Sequence, residues 1–455
     1  MMDNSEVQER VALLPAAQMI RESDSLRELI LAVWRKTRLD WSHASANLSD
    51  AFRQNRQLGS EPRRACAETV YGMIRQLRRI DFALARTRKL RDRDRDQARI
   101  WACLVLDGGL DPSAVPVDLE VDWPAVAAID EIIAKERKPA VRLGLRASLP
   151  DWLAARFIDH FGDRALEVCT ALNQRAPMTV RVNTLKTTVE SLAERLAASG
   201  FATKRGPLGS QTLTFITRTN IFSLPSFAAG EFEAQDEGSQ LIAELVAPPP
   251  KAKVIDYCAG AGGKTLALAA TMANRGRIIA ADVGRRKLNE LRKRAKRAGV
   301  DNVASVILPI HSREALPKLL EGWRQSAARV LVDAPCTGLG ALRRNPEIRW
   351  RMIESDLCRL PTVQSDILSN AEEFVAPGGR LIYATCTFFA EENQQVVDRF
   401  LAAHPGWKTI SPIEVWGRER AQRLVDDSER FLQLDPARHG TDGFFAAVLR
   451  RPPYQ

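Results

Sequence analysis

No uninterrupted apolar stretch in the 455 residues approaches the roughly 18 needed to cross a bilayer. The first segment, Met1 to Ile20, carries acids and no apolar core, so neither a membrane span nor a signal peptide is expected. Internal repeats and extended low-complexity tracts are also missing. The seven cysteines, spread from Cys66 to Cys386, show no paired metal-ligand spacing, so no metal site is expected. Their odd number suits reduced thiols in the cytoplasm better than a disulfide frame. Two glycines are missing from the loop Val254-Ile-Asp-Tyr-Cys-Ala-Gly-Ala-Gly-Gly-Lys-Thr265. A phosphate-binding P-loop needs one where Cys258 stands, and a dinucleotide fingerprint needs one where Thr265 stands. Both gaps argue against nucleoside triphosphate and NAD.

What is present is an apolar run that ends in an acid, turns through glycines and continues into the Ala- and Leu-rich Thr265 to Met272. That pattern predicts strand, tight loop and helix, with backbone N–H groups free to face a polar ligand. S-adenosylmethionine is the remaining common ligand, since its charged methionine end wants an acid (Asp256) and N–H donors. A glycine-rich turn that merely packs tightly is the alternative. Lys and Arg exceed Asp and Glu by 66 − 56 = 10, which favours a polyanionic partner. The length suits two to four domains.

Along the chain, Ser25-Leu-Arg-Glu28 has the form of a capping box and predicts a helix start. Cys66, Val70, Met73, Ile74 and Leu77 repeat at helical spacing beside Arg75, Arg78 and Arg79. The alternating Arg91 to Asp96 reads as a solvated helix edge or loop with local ion pairs, and Ile100 to Leu106 as a buried helix. Residues 1–145 are therefore expected to be all-helical and basic. Met178 to Thr184 and Thr212 to Ile216 alternate like strands around a helical Val189 to Ala198, so residues 146–235 suit a small α+β module. Gln235-Asp-Glu237 precedes a helix, Ser239 to Val246, and Pro248-Pro-Pro250 is a stiff connector. From Val254 onward, strands alternate with helices through residues 277–282, 303–308, 328–333, 379–385 and 444–449. Residues 236–455 are accordingly expected to form a doubly wound α/β domain whose ligands bind at the carboxyl ends of its strands.

Asp282 closes the second of these strands, where an acid can accept from both ribose hydroxyls. The next helix is crowded with Arg285, Arg286, Lys287, Arg292, Lys293, Arg294, Lys296 and Arg297; a solvated face is the expected reading, an RNA-binding face the other. Sharper signals are Asp333-Ala-Pro-Cys336 and Ala384-Thr-Cys386, each at a strand end near the cofactor loop. C5 of cytosine is too weak a nucleophile to attack a methyl donor, but a thiolate added at C6 turns the ring into an enamine with electron density at C5. An ordinary thiol ionises near pH ~8.5, so such a site must favour thiolate through local positive charge or N–H donors. Asp333 could orient the base. One buried cysteine is unremarkable, whereas two at neighbouring strand ends point to this chemistry.

With these residues in view, the chain resembles the Sun/Fmu/nucleolar-protein family of S-adenosylmethionine-dependent RNA (cytosine-5) methyltransferases. The resemblance covers about residues 145 to 455. It runs through Arg181-Val-Asn183, Gln235-Asp-Glu237, the cofactor loop, Asp333 to Cys336, Asn345-Pro346, Thr385-Cys386, Glu392-Asn393 and Asp442-Gly-Phe-Phe445. More weakly, Arg63 to Leu84 looks like the NusB-like RNA-binding domain that precedes such enzymes. The resemblance implies a Rossmann-like domain with a mixed, mainly parallel seven-stranded sheet, and an RNA-recognition-motif-like module ahead of it. It implies Cys386 as nucleophile, Cys336 as the thiol that assists release, and Arg181 and Asn183 toward RNA. It also implies cofactor contacts from Cys258, Ala259, Gly260, Ala261, Gly262, Gly263, Lys264, Asp282 and Asp333. Ribosomal RNA is the first expected substrate and transfer RNA the second, with DNA still to be tested. A non-catalytic RNA-binding assembly factor of the same fold is the rival reading, and a monomer is expected. The loop departs from the family in having Ala261 where proline is usual. Pro309-Ile-His-Ser312 supplies no adenine-facing aspartate.

Overall fold

The computed structural model of the chain describes residues 15–87, 90–116, 119–309 and 317–453. Two compact units emerge: residues 1–174 with 344–354, and 175–343 with 355–455. Part of the Pro309 to Ser312 stretch, including His311, lies outside the described residues.

The first unit is helical, with α1 Asp24–Leu39, α2 Ser60–Leu84, α3 Asp92–Leu106, α4 Pro139–Arg146, α5 Asp151–Phe161 and α6 Ala165–Asn173 among its longer helices. Ile30, Trp34, Val70, Met73, Ile74, Ile100 and Trp101 are fully buried in one core. The expected capping box is displaced: Ser23, not Ser25, caps α1, accepting from the Leu26 N–H at 3.3 Å. The alternating acid–base run opens α3, and its last acid is tied down, because Asp96 accepts from Trp34 Nε1 at 2.9 Å and from Arg99 at 2.8 Å. Arg79, beside the apolar stripe of α2, is buried in a two-pronged pair with Asp130 at 2.6 and 2.9 Å.

The second unit begins with four short strands, β1 Thr179–Val182, β2 Thr203–Arg205, β3 Thr212–Phe215 and β4 Phe232–Ala234, with α7 Val189–Ala198 between the first two. They form an antiparallel sheet in the order β2-β3-β1-β4. Val180, Val182, Leu192, Leu196, Leu213 and Phe232 fill the space between sheet and helix.

Helix α8, Glu237–Val246, leads into the main sheet. Its elements are β5 Lys253–Asp256, α9 Gly263–Thr271, β6 Arg277–Asp282, α10 Arg285–Ala298, β7 Val303–Ile307, β8 Ala327–Asp333, α11 Asp356–Glu372, β9 Val375–Thr385, α12 Gln394–Ala403, β10 Lys408–Ile410, β11 Leu432–Leu434 and β12 Phe444–Arg450. Strand order is β10-β12-β9-β8-β5-β6-β7, with β11 beside β12. Strands β5 to β9 pair in parallel, and β12 runs antiparallel to β9. Among the described residues the sheet thus has eight strands where seven were expected. Strands β10 and β11, three residues each, are too short to leave a periodic signal. After β7 the chain returns to the other side of β5, so the strand order reverses between β5 and β8. Open α/β sheets bind ligands outside such a reversal.

Candidate active site

Val254 and Ile255 are fully buried in β5, which carries Asp256 to the carboxyl edge of the sheet at the reversal point. The loop then turns sharply. Gly262 has φ +85°, and a Cβ there would lie 2.5 Å from Leu291 of α10, so both the backbone and the space require glycine. Asp282, at the end of β6, accepts from the Gly260 N–H at 2.9 Å and from the Gly284 N–H at 2.6 Å, which ties the two strand-end loops together. Where proline would stiffen position 261, the Ala261 carbonyl instead accepts from Arg294 of α10 at 2.8 Å.

A cleft of about 1180 Å³ opens here, and every residue from Cys258 to Lys264 except Gly262 lines it, together with Asp256, Asp282, Val283 and Asp333. Asp256 is buried; its Oδ2 accepts from the Thr265 hydroxyl at 2.7 Å, while Oδ1 has no partner. Burial pushes this carboxyl up to about 7, and the neighbouring Asp333 and Asp282 charges add to the effect. Lys264, at the first turn of α9, bonds Asp333 Oδ2 at 2.6 Å, with its ammonium 5.7 Å from the centre of the Phe444 ring. Burial alone would pull that ammonium down; the Asp333 carboxylate outweighs it, with the Cys386 thiol adding to the same effect, and holds its pKa above the usual range.

The two cysteines meet beside this pair. Asp333 and Ala384 are register partners at the ends of β8 and β9, so the chain places Cys336 and Cys386 on adjacent loops. Their sulfurs are 3.4 Å apart, and the Cys386 N–H donates to Cys336 Sγ at 3.3 Å. The hydrogen bond to Cys386, then burial, pushes the Cys336 thiol well above its ordinary pKa. One sulfur is therefore held as a thiol beside a second that has an ammonium in its surroundings.

A family model described as "16S rRNA methyltransferase RsmB/F" matches residues 243–450, and one for an RsmF/B-like ferredoxin-like domain matches residues 149–221. The probable ribosomal RNA small subunit methyltransferase B of Bacillus subtilis is 32% identical over 314 residues, 69% of this chain and 68% of that protein. The chain belongs to the RsmB/F methyltransferase family. Its counterpart in Synechocystis, also named probable methyltransferase B, is 29% identical over 94% of this chain and 99% of its own. Among solved structures, a methyltransferase homolog protein from Pyrococcus horikoshii is 29% identical, with TM-score 0.57, covering 69% of this chain and 98% of its own. The structure titled PH0851 is 26% identical, with TM-score 0.75, covering 94% of this chain and 99% of its own.

In this RsmB/F chain, the two residues expected toward RNA are buried. Arg181 and Asn183, at and just beyond the end of β1, are each 2% exposed. Arg181 Nε donates to Gln235 Oε1 at 2.8 Å, and burial lowers the guanidinium to about 10. Asn183 Nδ2 donates to the carbonyls of Gly230 and Ala298, each at 2.8 Å, which joins the small sheet to the end of α10. Asn183 is thus committed to protein, whereas Arg181 Nη1 is buried without a hydrogen-bond partner.

The basic helix α10 divides. Arg285, Arg286, Lys287, Arg292, Lys293 and Lys296 are exposed, which suits a solvated face and an RNA-binding face alike, whereas Arg294 and Arg297 both pair with the buried Glu233 of β4. Arg343 carried no sequence signal, yet it is buried and joins two segments of the family resemblance. It donates to Asp442 at 2.5 Å, to the Gly440 carbonyl at 2.8 Å and to Asp236 at 3.3 Å. A single arginine between recognisable segments has no periodicity or spacing that would mark it.

Proposed function

We propose that this chain transfers a methyl group from S-adenosylmethionine to C5 of a cytosine in RNA, with ribosomal RNA of the small subunit as first candidate. The observation that carries the reading is the pair of sulfurs 3.4 Å apart, next to Asp333 and Lys264 at the strand-order reversal. The names of the relatives support the choice of RNA, and the expected cofactor loop supports the methyl donor. The unpartnered Asp256 Oδ1 in the cleft fits a cationic amine, and the start of α9 offers N–H donors to a carboxylate. S-adenosylmethionine, when bound, supplies an electrophilic methyl group.

In this mechanism the Cys386 thiolate adds to C6 of a base held out of its stack. Electron density moves to C5, which takes the methyl group. A base removes the C5 proton, the bond between C6 and Cys386 breaks, and Cys386 leaves as thiolate. Cys336, kept as a thiol, assists release, and Asp333 orients the cytosine by accepting from its exocyclic amine.

The test is methyl transfer to small-subunit ribosomal RNA by wild type, Cys386→Ala and Cys336→Ala, with denaturing gels for a covalent RNA–protein band. Loss of transfer and of the band in Cys386→Ala, with a persistent band in Cys336→Ala, is expected. A band from Cys386→Ala but not from Cys336→Ala reverses the two roles. Absence of transfer by wild type to any RNA or DNA substrate favours the non-catalytic assembly factor. Bisulfite sequencing of ribosomal and transfer RNA from cells with and without the gene identifies the cytosine.

A further inference from the structure

Each cysteine loop is held from below by one member of the adjacent pair Glu392-Asn393, just before α12. Both side chains are essentially inaccessible, at 0% and 1% exposure. Glu392 serves the Cys336 loop. Its Oε1 accepts from the Thr337 N–H at 2.9 Å and its Oε2 from the Thr337 hydroxyl at 2.6 Å. Gln364 of α11 completes that grip, donating both to Glu392 Oε1 and to the Pro335 carbonyl at 3.0 Å. The residues on either side of Cys336 are therefore fixed while its sulfur remains in the site.

Asn393 serves the other loop. It stands where a capping residue would stand for α12, yet its side chain makes no cap bond to that helix. Instead its Oδ1 accepts from the Thr385 hydroxyl at 2.5 Å and its Nδ2 donates to the Thr387 carbonyl at 3.2 Å. Those two residues flank Cys386. The hydroxyls of Thr337 and Thr387 share a bond of 2.8 Å that links the two grips, and Tyr383 of β9 donates to the Glu392 carbonyl at 2.5 Å. Asparagine preferentially caps helices, and the Glu392 carboxylate, held by Thr337, Gln364 and also the Thr387 hydroxyl, with no cation paired to it among the described residues, is held at the expense of desolvation. Burial raises the Glu392 carboxyl accordingly.

We propose that Glu392 and Asn393 are linked positioning residues with different weight on the two thiols, Glu392, most of whose bonds go to the Cys336 loop, for the release step and Asn393, both of whose bonds go to the Cys386 loop, for the addition step. The assignment rests on the roles given to the cysteines above. It goes beyond them in predicting that two neighbouring buried residues affect opposite halves of one reaction. Glu392→Gln keeps the shape but presents an NH2 group to at least one of these donors. Asn393→Ala removes both bonds to the Cys386 loop. Thr337→Val and Thr385→Val remove only the hydroxyl on each side and serve where the first pair folds poorly.

The experiment measures, in the full chain with small-subunit ribosomal RNA and S-adenosylmethionine, the covalent band and the methyl-transfer rate for each variant, against Cys336→Ala. Glu392→Gln and Thr337→Val are expected to slow turnover about tenfold or more, the scale of one lost bond to a charged group, while the covalent band increases. Asn393→Ala and Thr385→Val are expected to slow turnover while the band decreases. A merely structural role lowers band and turnover together in all four variants, and that result overturns the proposal. If Cys336→Ala itself accumulates no band, the reading of the cysteines fails instead, so the two failures are distinguishable.

Discussion

Asp256 shows how one buried carboxyl can act in opposite directions on stability and on ligand binding. Its folded pKa, about 7, lies above the roughly 3.9 of an exposed aspartate. The stability this group contributes is therefore fully present below about pH 4 and is lost as pH rises through 7. Asp256→Asn is expected to be more stable than wild type at pH 8, by on the order of 2 kcal/mol, with the gap closing at pH 5, as thermal melts would show. Binding of S-adenosylmethionine should follow the reverse trend: in wild type it tightens as pH rises through 7 and the carboxylate forms, and the variant should show neither the affinity nor its pH slope by calorimetry. Lys264 has the complementary role. Lys264→Met leaves the Asp333 carboxylate without the cation that holds it at 2.6 Å, so covalent-band formation should fall about tenfold, the scale of a lost bond to a charged group. Band formation equal to that of wild type would refute that role for the lysine. At this scale Cys336, Cys386, Asp333 and the glycine loop were legible because each closes a strand within a few residues of its apolar run. Glu392 and Asn393 could be quoted as part of a resemblance but not given a job, since their partners are 28 to 55 residues away in two cases and eight or fewer in the others.

At the scale of elements, α10 joins the cofactor loop to the small sheet. Arg294 holds the Ala261 carbonyl and Glu233 together, and Asn183 bridges Gly230 and Ala298. Arg294→Met should weaken S-adenosylmethionine binding several-fold, because the proline-free loop loses the bond that fixes its carbonyl. Asn183→Ala leaves two buried carbonyls without this donor and should cost about 1–3 kcal/mol of stability, read from denaturant unfolding, with RNA affinity unchanged if its role is confined to the protein. Helical periodicity located α10 and counted its charges; it could not tell exposed Arg292 from half-buried Arg294, because that distinction depends on Glu233 in another strand.

For the molecule as a whole, residues 344–354 belong to the helical unit although the chain on either side belongs to the other. Arg349 is fully buried there, donating to the carbonyls of Arg75 and Ala147 at 3.0 Å each and to Asn173 at 2.8 Å. Burial, then the charge of Arg75, lowers its guanidinium to about 9. Trp350 donates to the Ile74 carbonyl at 2.7 Å. A chain lacking residues 1–174 loses all of these acceptors, so hydrogen exchange in 344–354 should rise sharply and methyl transfer should fall even though every residue of the cofactor cleft remains.

By itself the sequence determined the fold class, the strand ends where acids and thiols stand and the candidate pair of cysteines, because strand period, glycine requirement and residue type are local properties. Tertiary structure alone decided that the thiols stand 3.4 Å apart, that Arg181 and Asn183 are buried, and that a segment following the Cys336 loop is built into the helical unit. Those outcomes depend on strand order and on which buried donor finds which acceptor across long sequence separations, and local patterning carries no record of either.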